Sequence, residues 1–446
     1  MLKDIIPIKF LEALNIAKEK IIHSPYIRVL THYDGDGTSA AIILVTTLER
    51  LKIPYHLSFV KDLSEDGIKK RLLEEPYNLT LIADAGSDQI KFVPEMENII
   101  VLDHHYYEGS NSKSLNINVR DFGFNGTTEA CGATMAFLMS LAIDESNADL
   151  LKFMVAGAIA DKQDIGGFKG LNSVIIEKYG KSYKLHKRLN LNGLTLLDAL
   201  TFSTDPFYYD LTGKTENIRE FLNGLGFEPN TKISDLSNDE NLKLGKALFA
   251  KLALQGCESE AIKYMETEDF MFEDGFTGKS LSKIIDANAK LGSNAIPVNY
   301  FLGDKKLLEQ MQLNWKAFET KLIDYAYRSY KEMVREKNIQ YFYAPGSEMA
   351  GSISGILMLY IADQTKPVIG FNAGDSNTLI SSRGTRNHVN RGLNLSLIMK
   401  EACKKVGGSG GGHDIAAGGV IPRGTEKQFI EIVDKMVSEQ IGSNRV

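Results

Sequence analysis

Ile99-Ile100-Val101-Leu102 is an uninterrupted apolar run that stops at Asp103-His104-His105. The same pattern occurs upstream. Tyr26-Ile27-Arg28-Val29-Leu30 leads into His32-Tyr33-Asp34-Gly35-Asp36-Gly37, and Leu79-Thr80-Leu81-Ile82-Ala83 leads into Asp84. Ile53 to Phe59 supplies one more strand-like run. Short, nearly continuous apolar strands separated by helical stretches need cover on both faces, which points to a parallel sheet clothed by helices. In such sheets the ligand site lies beyond the carboxyl ends of the strands. All three acidic motifs stand at those ends, so the topology that the strands demand also gathers the motifs.

The rest of the chain extends this plan. Helices are predicted over residues 128–143 and 148–160, the second delivering Asp161. From about Thr195 to Lys337 the texture turns helical, with a polar stretch from Glu228 to Glu240 and a turn at Thr204-Asp205-Pro206-Phe207. Strand signals return at Ile339–Tyr343, Val368–Phe371 and Thr378–Ile380. At 446 residues the chain exceeds one ordinary core. The expected fold class is α/β: a doubly wound parallel-sheet domain over 1–195, a mostly helical insert over 196–337, and a smaller α/β domain over 338–446.

Composition narrows the class of function. Cys131, Cys257 and Cys403 are far apart and form no CxxC pair, which argues for a reducing compartment and against a zinc ribbon. The N-terminus lacks a basic-then-apolar leader, and the apolar stretch from Gly351 to Ile361 is too short to span a membrane. The expected location is the cytoplasm, with no membrane partner. A net charge of −6 speaks against a surface that coats nucleic acid broadly. Local basic runs remain: Lys178 to Arg188 carries five Lys or Arg and no acid, and Arg383, Arg386, Arg391 and Lys400 follow one another without an acid. The first reads equally as a solvated face; the second lies close to a glycine-rich segment, which favours a phosphate-facing role.

His32, Asp34, Asp36, Asp84, His104 and Asp161 are the candidate metal ligands. Hard divalent cations take carboxylate oxygens, and imidazole shifts the preference toward manganese, iron or zinc rather than calcium. One carboxylate shared between two cations sets them roughly 3.5–4 Å apart, the spacing of two-metal hydrolysis. Asp34 and Asp36 flank a single glycine, so a tight loop can aim them at neighbouring ions, and Gly35 and Gly37 are expected to supply the backbone angles of that loop. Asp84, between the two flanking motifs, is the natural bridge. Alone, Asp-Gly-Asp-Gly reads as a turn, Asp84 as a helix N-cap and His104 as a core histidine. An EF-hand is excluded because Val45 stands where its twelfth-position Glu belongs. Joint occurrence at successive strand ends makes the metal site the better account.

This set, His32-x-Asp34-x-Asp36-Gly37, Asp84, Asp103-His104-His105 and Asp161, resembles the four motifs of the DHH phosphoesterase family, and Gly410-Gly411-Gly412-His413 resembles the GGGH element of the family's associated domain. The resemblance covers roughly residues 20–165 and 340–440. Chain length and the Thr204–Phe207 region are most similar to archaeal RecJ-like exonucleases. It implies a first manganese held by His32, Asp34 and Asp84, and a second held by Asp36, Asp84, His104 and Asp161, with magnesium as the alternative. It further implies that Asp103 orients a neighbouring histidine and that His105 faces the scissile phosphate. No motif position is missing, which counts against an inactive member.

Gly407 to Gly412 alone can form a flexible loop or an anion nest of backbone N–H groups, but neither a Walker loop nor a dinucleotide fingerprint. The resemblance assigns substrate phosphate to Gly411, Gly412 and His413, and to Ser382 and Arg383, where a guanidinium fork suits a phosphodiester. The activity it implies is single-strand-specific exonucleolysis of DNA or RNA in replication or repair, in a cleft between the two domains. Phe207-Tyr208-Tyr209 and Tyr325-Ala326-Tyr327 read as core before base-stacking platforms. A small-substrate phosphodiesterase for oligoribonucleotides or cyclic dinucleotides, and a scaffold for a replisome partner resembling the helicase-activating RecJ relatives, are the alternatives. A pyrophosphatase of the same superfamily fits the length and the GGGH element less well.

Overall fold

A computed structural model of the chain describes residues 2–61, 70, 77–87, 89, 97–108, 113–181, 183–345 and 349–442. The polypeptide divides into two compact units, Met1–His186 with Glu268–Phe318, and Lys187–Thr267 with Glu319–Val446.

The first unit is built on five parallel strands, β1 (Ile27–His32), β2 (Tyr55–Val60), β3 (Leu79–Ala83), β4 (Ile99–Asp103) and β5 (Leu115–Asn118). Their order is β2-β1-β3-β4-β5, so the direction of winding reverses between β1 and β3. Ligand crevices form at such a reversal, beyond the carboxyl ends. The register aligns those ends: Thr31 lies opposite Ala83, and Ala83 opposite Leu102. His32, Asp84 and Asp103 follow immediately, on three neighbouring strands.

On one face of the sheet, Ile27, Val29, Leu79, Leu81, Ile100 and Leu102 share a core with helices α1 (Ile8–Ile22), α2 (Gly35–Leu51), α3 (Gly132–Ile143) and α4 (Leu151–Ala160). The alternate residues Leu30, Val60, Ile82, Ile99 and Val101 form a second cluster on the other face. Apolar burial on both faces is what the unbroken strand runs required. Strand β5, Leu-Asn-Ile-Asn at the sheet edge, had no apolar run to announce it. The helix expected from residue 128 begins at Gly132, and the one expected from 148 begins at Leu151. In the second case Asp144 accepts the Ser146 N–H at 2.8 Å and starts a 3₁₀ turn over Glu145–Leu150 first.

Residues 196–337 do not form one separate body. Helix α6 (Gly278–Lys290) packs its buried Leu281, Ile284 and Ile285 into the core of the first unit, against α2 and α4. Asn294, just beyond it, donates to the Tyr33 carbonyl at 2.6 Å and to Thr38 Oγ1 at 2.8 Å. The reason is apolar: this segment covers surface that residues 1–195 alone leave open.

In the second unit, helices over Leu196–Thr201, Thr215–Gly224 and Asn238–Leu254 precede a mixed sheet. Its strands are β6 (Val334–Arg335), β7 (Gln340–Tyr343), β8 (Val368–Ala373), β9 (Asn377–Arg383), β10 (Ser409–Gly412) and β11 (Ala416–Pro422), in the order β10-β11-β9-β8-β7-β6. Only β7 and β8 pair in parallel. Helices α7 (Leu395–Lys405) and α8 (Glu426–Gly442) bury Ile398, Met399, Phe429 and Val433 against Ile369, Phe371 and Ile380. Phe207 and Tyr208 are buried in this unit, while Tyr209 is partly exposed. Among the described residues, no helix is long and apolar enough to cross a membrane.

Candidate metal centre

The six candidate ligands meet at the carboxyl ends of β1, β3 and β4. Asp34 is the N-cap of α2 and accepts the Gly37 N–H at 3.0 Å. Asp36 is therefore in the first helical turn and not in a loop. Gly35 and Gly37 are needed for space rather than for backbone angle. A Cβ on Gly37 would stand 2.2 Å from the His32 carbonyl oxygen, and one on Gly35 would stand 2.9 Å from the Ala160 and Asp286 Cβ atoms.

Three groups of ligand atoms lie within metal-binding reach of one another: His32, Asp34 and Asp84; Asp36, His104 and Asp161; and Asp84, Asp103, His104 and His105. The first two hold all six candidate ligands. His32 Nδ1 is 3.0 Å from Asp34 Oδ2 and 3.7 Å from Asp84 Oδ2. The other oxygen of the same carboxylate, Asp84 Oδ1, is 3.1 Å from His104 Nε2. His104 Nε2 is in turn 3.9 Å from Asp36 Oδ2. Asp84 thus lies between the two groups and turns one oxygen to each.

The fold holds Asp84 there at a cost. Its φ of 56° lies in the left-handed region, which asparagine and aspartate tolerate better than other side chains. Gly132, the first residue of α3, makes room: a Cβ there would come within 2.3 Å of the Asp84 Cβ. The same helix start donates the Gly132 and Ala133 N–H groups to Asp36, at 2.6 and 2.9 Å. A carboxylate at a helix N-terminus is electrostatically favoured. Gly157 of α4 completes the pocket, since a Cβ on it would stand 2.5 Å from Asp36 Oδ1.

The histidines are oriented by carbonyl and carboxylate acceptors. His104 Nδ1–H donates to the Gly126 carbonyl at 2.6 Å, which turns Nε2 toward Asp84 Oδ1 at 3.1 Å and makes Nε2 the nitrogen that a cation would take. Asp103 is buried and accepts the Ser87 N–H at 2.9 Å, the His104 N–H at 2.8 Å and His105 Nδ1–H at 2.8 Å. Its oxygens are committed to orienting the strand end and the His105 ring. His105 itself is half exposed, and Nδ1 is the ring nitrogen that Asp103 engages.

The charges fit a cation site. Burial works against charge at His32, yet the carboxylates of Asp34 and Asp84 outweigh it and raise that imidazole to about 10. Burial opposes ionisation of Asp84, but His104 and His32 hold its carboxyl well below the usual range. Burial pushes Asp161 up to about 6, with His104 pulling down and Asp84 pushing up. Asp36 is raised by burial and by Asp84 and Asp161. Carboxylates crowded at this depth repel one another until some retain protons, a repulsion that divalent cations relieve. Asp84 Oδ2 is buried and accepts no hydrogen bond from the described residues. A buried carboxylate oxygen with no donor is an open ligand position. Four carboxylates and two imidazoles form a donor set suited to manganese or magnesium.

The expected substrate-binding residues lie in the second unit. The Gly410–Gly412 segment is strand β10 rather than an anion nest, paired with β11 so that Gly410 faces Gly419 and Gly411 faces Gly418. Gly410 and Gly419 are required because α7 lies directly on the hairpin at those two positions. Cβ atoms on Gly410 and Gly419 would stand 2.9 and 2.4 Å from Cys403 Sγ. His413 N–H donates to the Ala416 carbonyl at 2.8 Å, which sets the alternation of the ladder. The N–H groups of Gly410 and Gly412 consequently point to the open sheet edge. His413 is exposed at the hairpin tip. Arg383 Nη1 donates to the Ser382 carbonyl at 2.9 Å and to Ser381 Oγ at 3.3 Å. Ser382 is buried and its hydroxyl donates to the Ala417 carbonyl, so Ser381 is the serine beside the guanidinium.

Comparison with known proteins agrees with this architecture. The model of the DHH family, N-terminal domain, matches residues 26–159, and that of the DHHA1 domain matches residues 338–439. An uncharacterised protein of Methanocaldococcus jannaschii is 31% identical over 442 residues, spanning 95% of this chain and 96% of that protein. RecJ from Thermus thermophilus, in complex with Mn2+, superimposes with a TM-score of 0.62 at 18% identity, over 98% of this chain and 55% of that one. The chain thus spans about half the length of that protein. CDC45 of Entamoeba histolytica gives a TM-score of 0.61 at 10% identity, over 96% of this chain and 98% of that chain. Both are likenesses of fold. With both domain models matched in order and a full-length relative at this identity, the chain belongs to the DHH family and has a RecJ-like fold.

Proposed function

We propose that the chain is a metal-dependent phosphodiesterase acting as an exonuclease on single-stranded DNA or RNA in the cytoplasm. The observation that carries the reading is Asp84, held in the left-handed region between two ligand groups with one buried oxygen that accepts no hydrogen bond from the described residues. His32, Asp34 and Asp84 would hold one Mn2+ ion, and Asp36, Asp84, His104 and Asp161 a second, with Mg2+ the alternative. Bound there, the cations would supply Lewis-acid polarisation of the phosphodiester and activation of water for attack.

The chain's own residues do the rest. The short contact with Asp103 turns the His105 ring and outweighs the effect of burial, so the imidazole is raised above its ordinary value. A charged His105 presents its exposed Nε2–H to the phosphate oxygens on which charge accumulates. Helix α3 holds Asp36 by two backbone N–H groups, so that carboxylate does not reorganise as the reaction proceeds. In the second unit, the Arg383 fork and the outward N–H groups of Gly410 and Gly412 are suited to the phosphates of a polymer. The RecJ-like fold supports the polymer over a small substrate.

The test is a manganese-supplemented digestion of end-labelled single-stranded DNA and RNA, beside a cyclic dinucleotide, with Asp84→Asn as control. Stepwise shortening of the polymer, absent in the variant, is the expected result. Cleavage of the dinucleotide alone would move the reading to nucleotide turnover. Bound metal with no cleavage of any substrate would overturn the hydrolase in favour of a scaffold for a replisome partner.

A further inference from the structure

Gln163 is buried two residues after Asp161, and its amide is fully committed. Its Nε2 lies 2.7 Å from Asp161 Oδ2, 2.9 Å from the Ala130 carbonyl and 3.1 Å from the Gly126 carbonyl. The two carbonyls can only accept, so the amide has one allowed orientation, with nitrogen toward them. The Oε1 atom on the opposite side accepts Asn172 Nδ2–H at 2.7 Å. Asn172, in helix α5 (Gly170–Tyr179), is fully buried and accepts the Thr134 hydroxyl at 2.7 Å. Every donor in this chain therefore points the same way, from Thr134 through Asn172 and Gln163 to the Asp161 carboxylate.

The relay starts and ends at the centre. Thr134 is in the first turn of α3, the turn whose Gly132 and Ala133 N–H groups hold Asp36. The Gly126 carbonyl that Gln163 contacts is the acceptor of His104 Nδ1–H. Asp36 is thus tied to this turn directly, Asp161 through the relay, and His104 through Gly126. These three residues are one of the two ligand groups, and neither His32 nor Asp34 makes a hydrogen bond to any member of the relay among the described contacts. We propose that Gln163 is a positioning residue that sets Asp161 and His104 for one of the two cations and not for the other. The proposal rests on the two-metal reading of the centre.

Gln163→Met keeps the side chain's length and removes its hydrogen bonds. Calorimetric titration of the full-length protein with Mn2+, supported by the electron paramagnetic resonance of the bound ions, resolves the two binding steps. The expected result is a loss of about 10- to 100-fold in one step, as for other residues that support a ligand, with the other step unchanged. Thr134→Val, farther from the ligands, should weaken the same step by a smaller factor, and it decides the matter on the same criterion if Gln163→Met does not fold. Two unchanged steps in the variants, or two steps weakened in parallel, would overturn the proposal while leaving the two-metal centre intact. Wild-type protein that binds fewer than two Mn2+ ions would overturn the two-metal reading, and the proposal with it.

Discussion

Single residues at this centre are constrained by space as much as by chemistry. Gly132 illustrates it: a methyl group there meets the Asp84 Cβ at 2.3 Å, and the strand end has no room to recede because Ala83 is fully buried in the sheet. Gly132→Ala should destabilise the protein by about 1–3 kcal/mol, the usual cost of overpacking. Because the displaced atoms are those of Asp84, Mn2+ affinity should fall as well, which thermal melting with and without the ion will measure. Asp84→Asn makes the complementary point, since it preserves shape and removes the charge that both ligand groups share. Its loss of activity should exceed the roughly 100-fold that a supporting residue costs, with the metal-free melting temperature little changed or raised. Equal Mn2+ affinity in the variant and the wild type would show that Asp84 is not a ligand.

Among the elements, α6 shows how helix packing overrides position in the chain. Its buried Leu281, Ile284 and Ile285 give it a fixed place against α2 and α4, the helices that carry Asp36 and end at Asp161. Ile285→Ala should cost about 2–5 kcal/mol and lower hydrogen-exchange protection in β1 and β3. Leu242→Ala, in the helix Asn238–Leu254 of the other unit, removes a largely exposed side chain and should stay within about 0.5 kcal/mol of wild type. Unchanged protection of β1 and β3 in Ile285→Ala would mean that α6 does not complete the first core. The helical texture from residue 195 to 337 was legible, but not its division between two units, because α6 and the helix Asn238–Leu254 are both amphipathic and a hydrophobic stripe does not name its partner.

For the whole molecule, all six candidate ligands belong to the first unit and Arg383, Gly411, Gly412 and His413 to the second. A ligand that binds only the folded state stabilises it by mass action, by about 2.7 kcal/mol at one hundred times its dissociation constant. Mn2+ at that excess should raise amide protection in β1, β3, β4 and α2 to α4, measured by hydrogen exchange with mass spectrometry. No gain is expected over residues 319–442. Protection gained mainly in that second region would place the ion elsewhere and remove the basis for the centre. Chelation should reverse the gain, since a site of this kind exchanges its ion for protons at His32 and Asp161 rather than unfolding.

The local sequence determined the strands, their parallel arrangement and the acids at their ends. These depend on unbroken apolar runs and on the motif residues that follow them, all readable within a few positions. Asp34, Asp36, Asp84 and His104 could be picked out for that reason, whereas β5, with two asparagines in four residues, could not. Tertiary structure alone decided the rest. Gly35, Gly37 and Gly132 look like turn residues in one dimension, and only the atoms brought against them show that they are there to leave space. Gly410 to Gly412 read as a loop until β11 pairs with them and α7 covers Gly410. Gln163 carries no signal beyond its place after Asp161, because its partners Gly126, Ala130 and Asn172 come from other segments of the chain. Periodicity reports which side of an element is buried, but contact between distant segments exists only once the chain has folded.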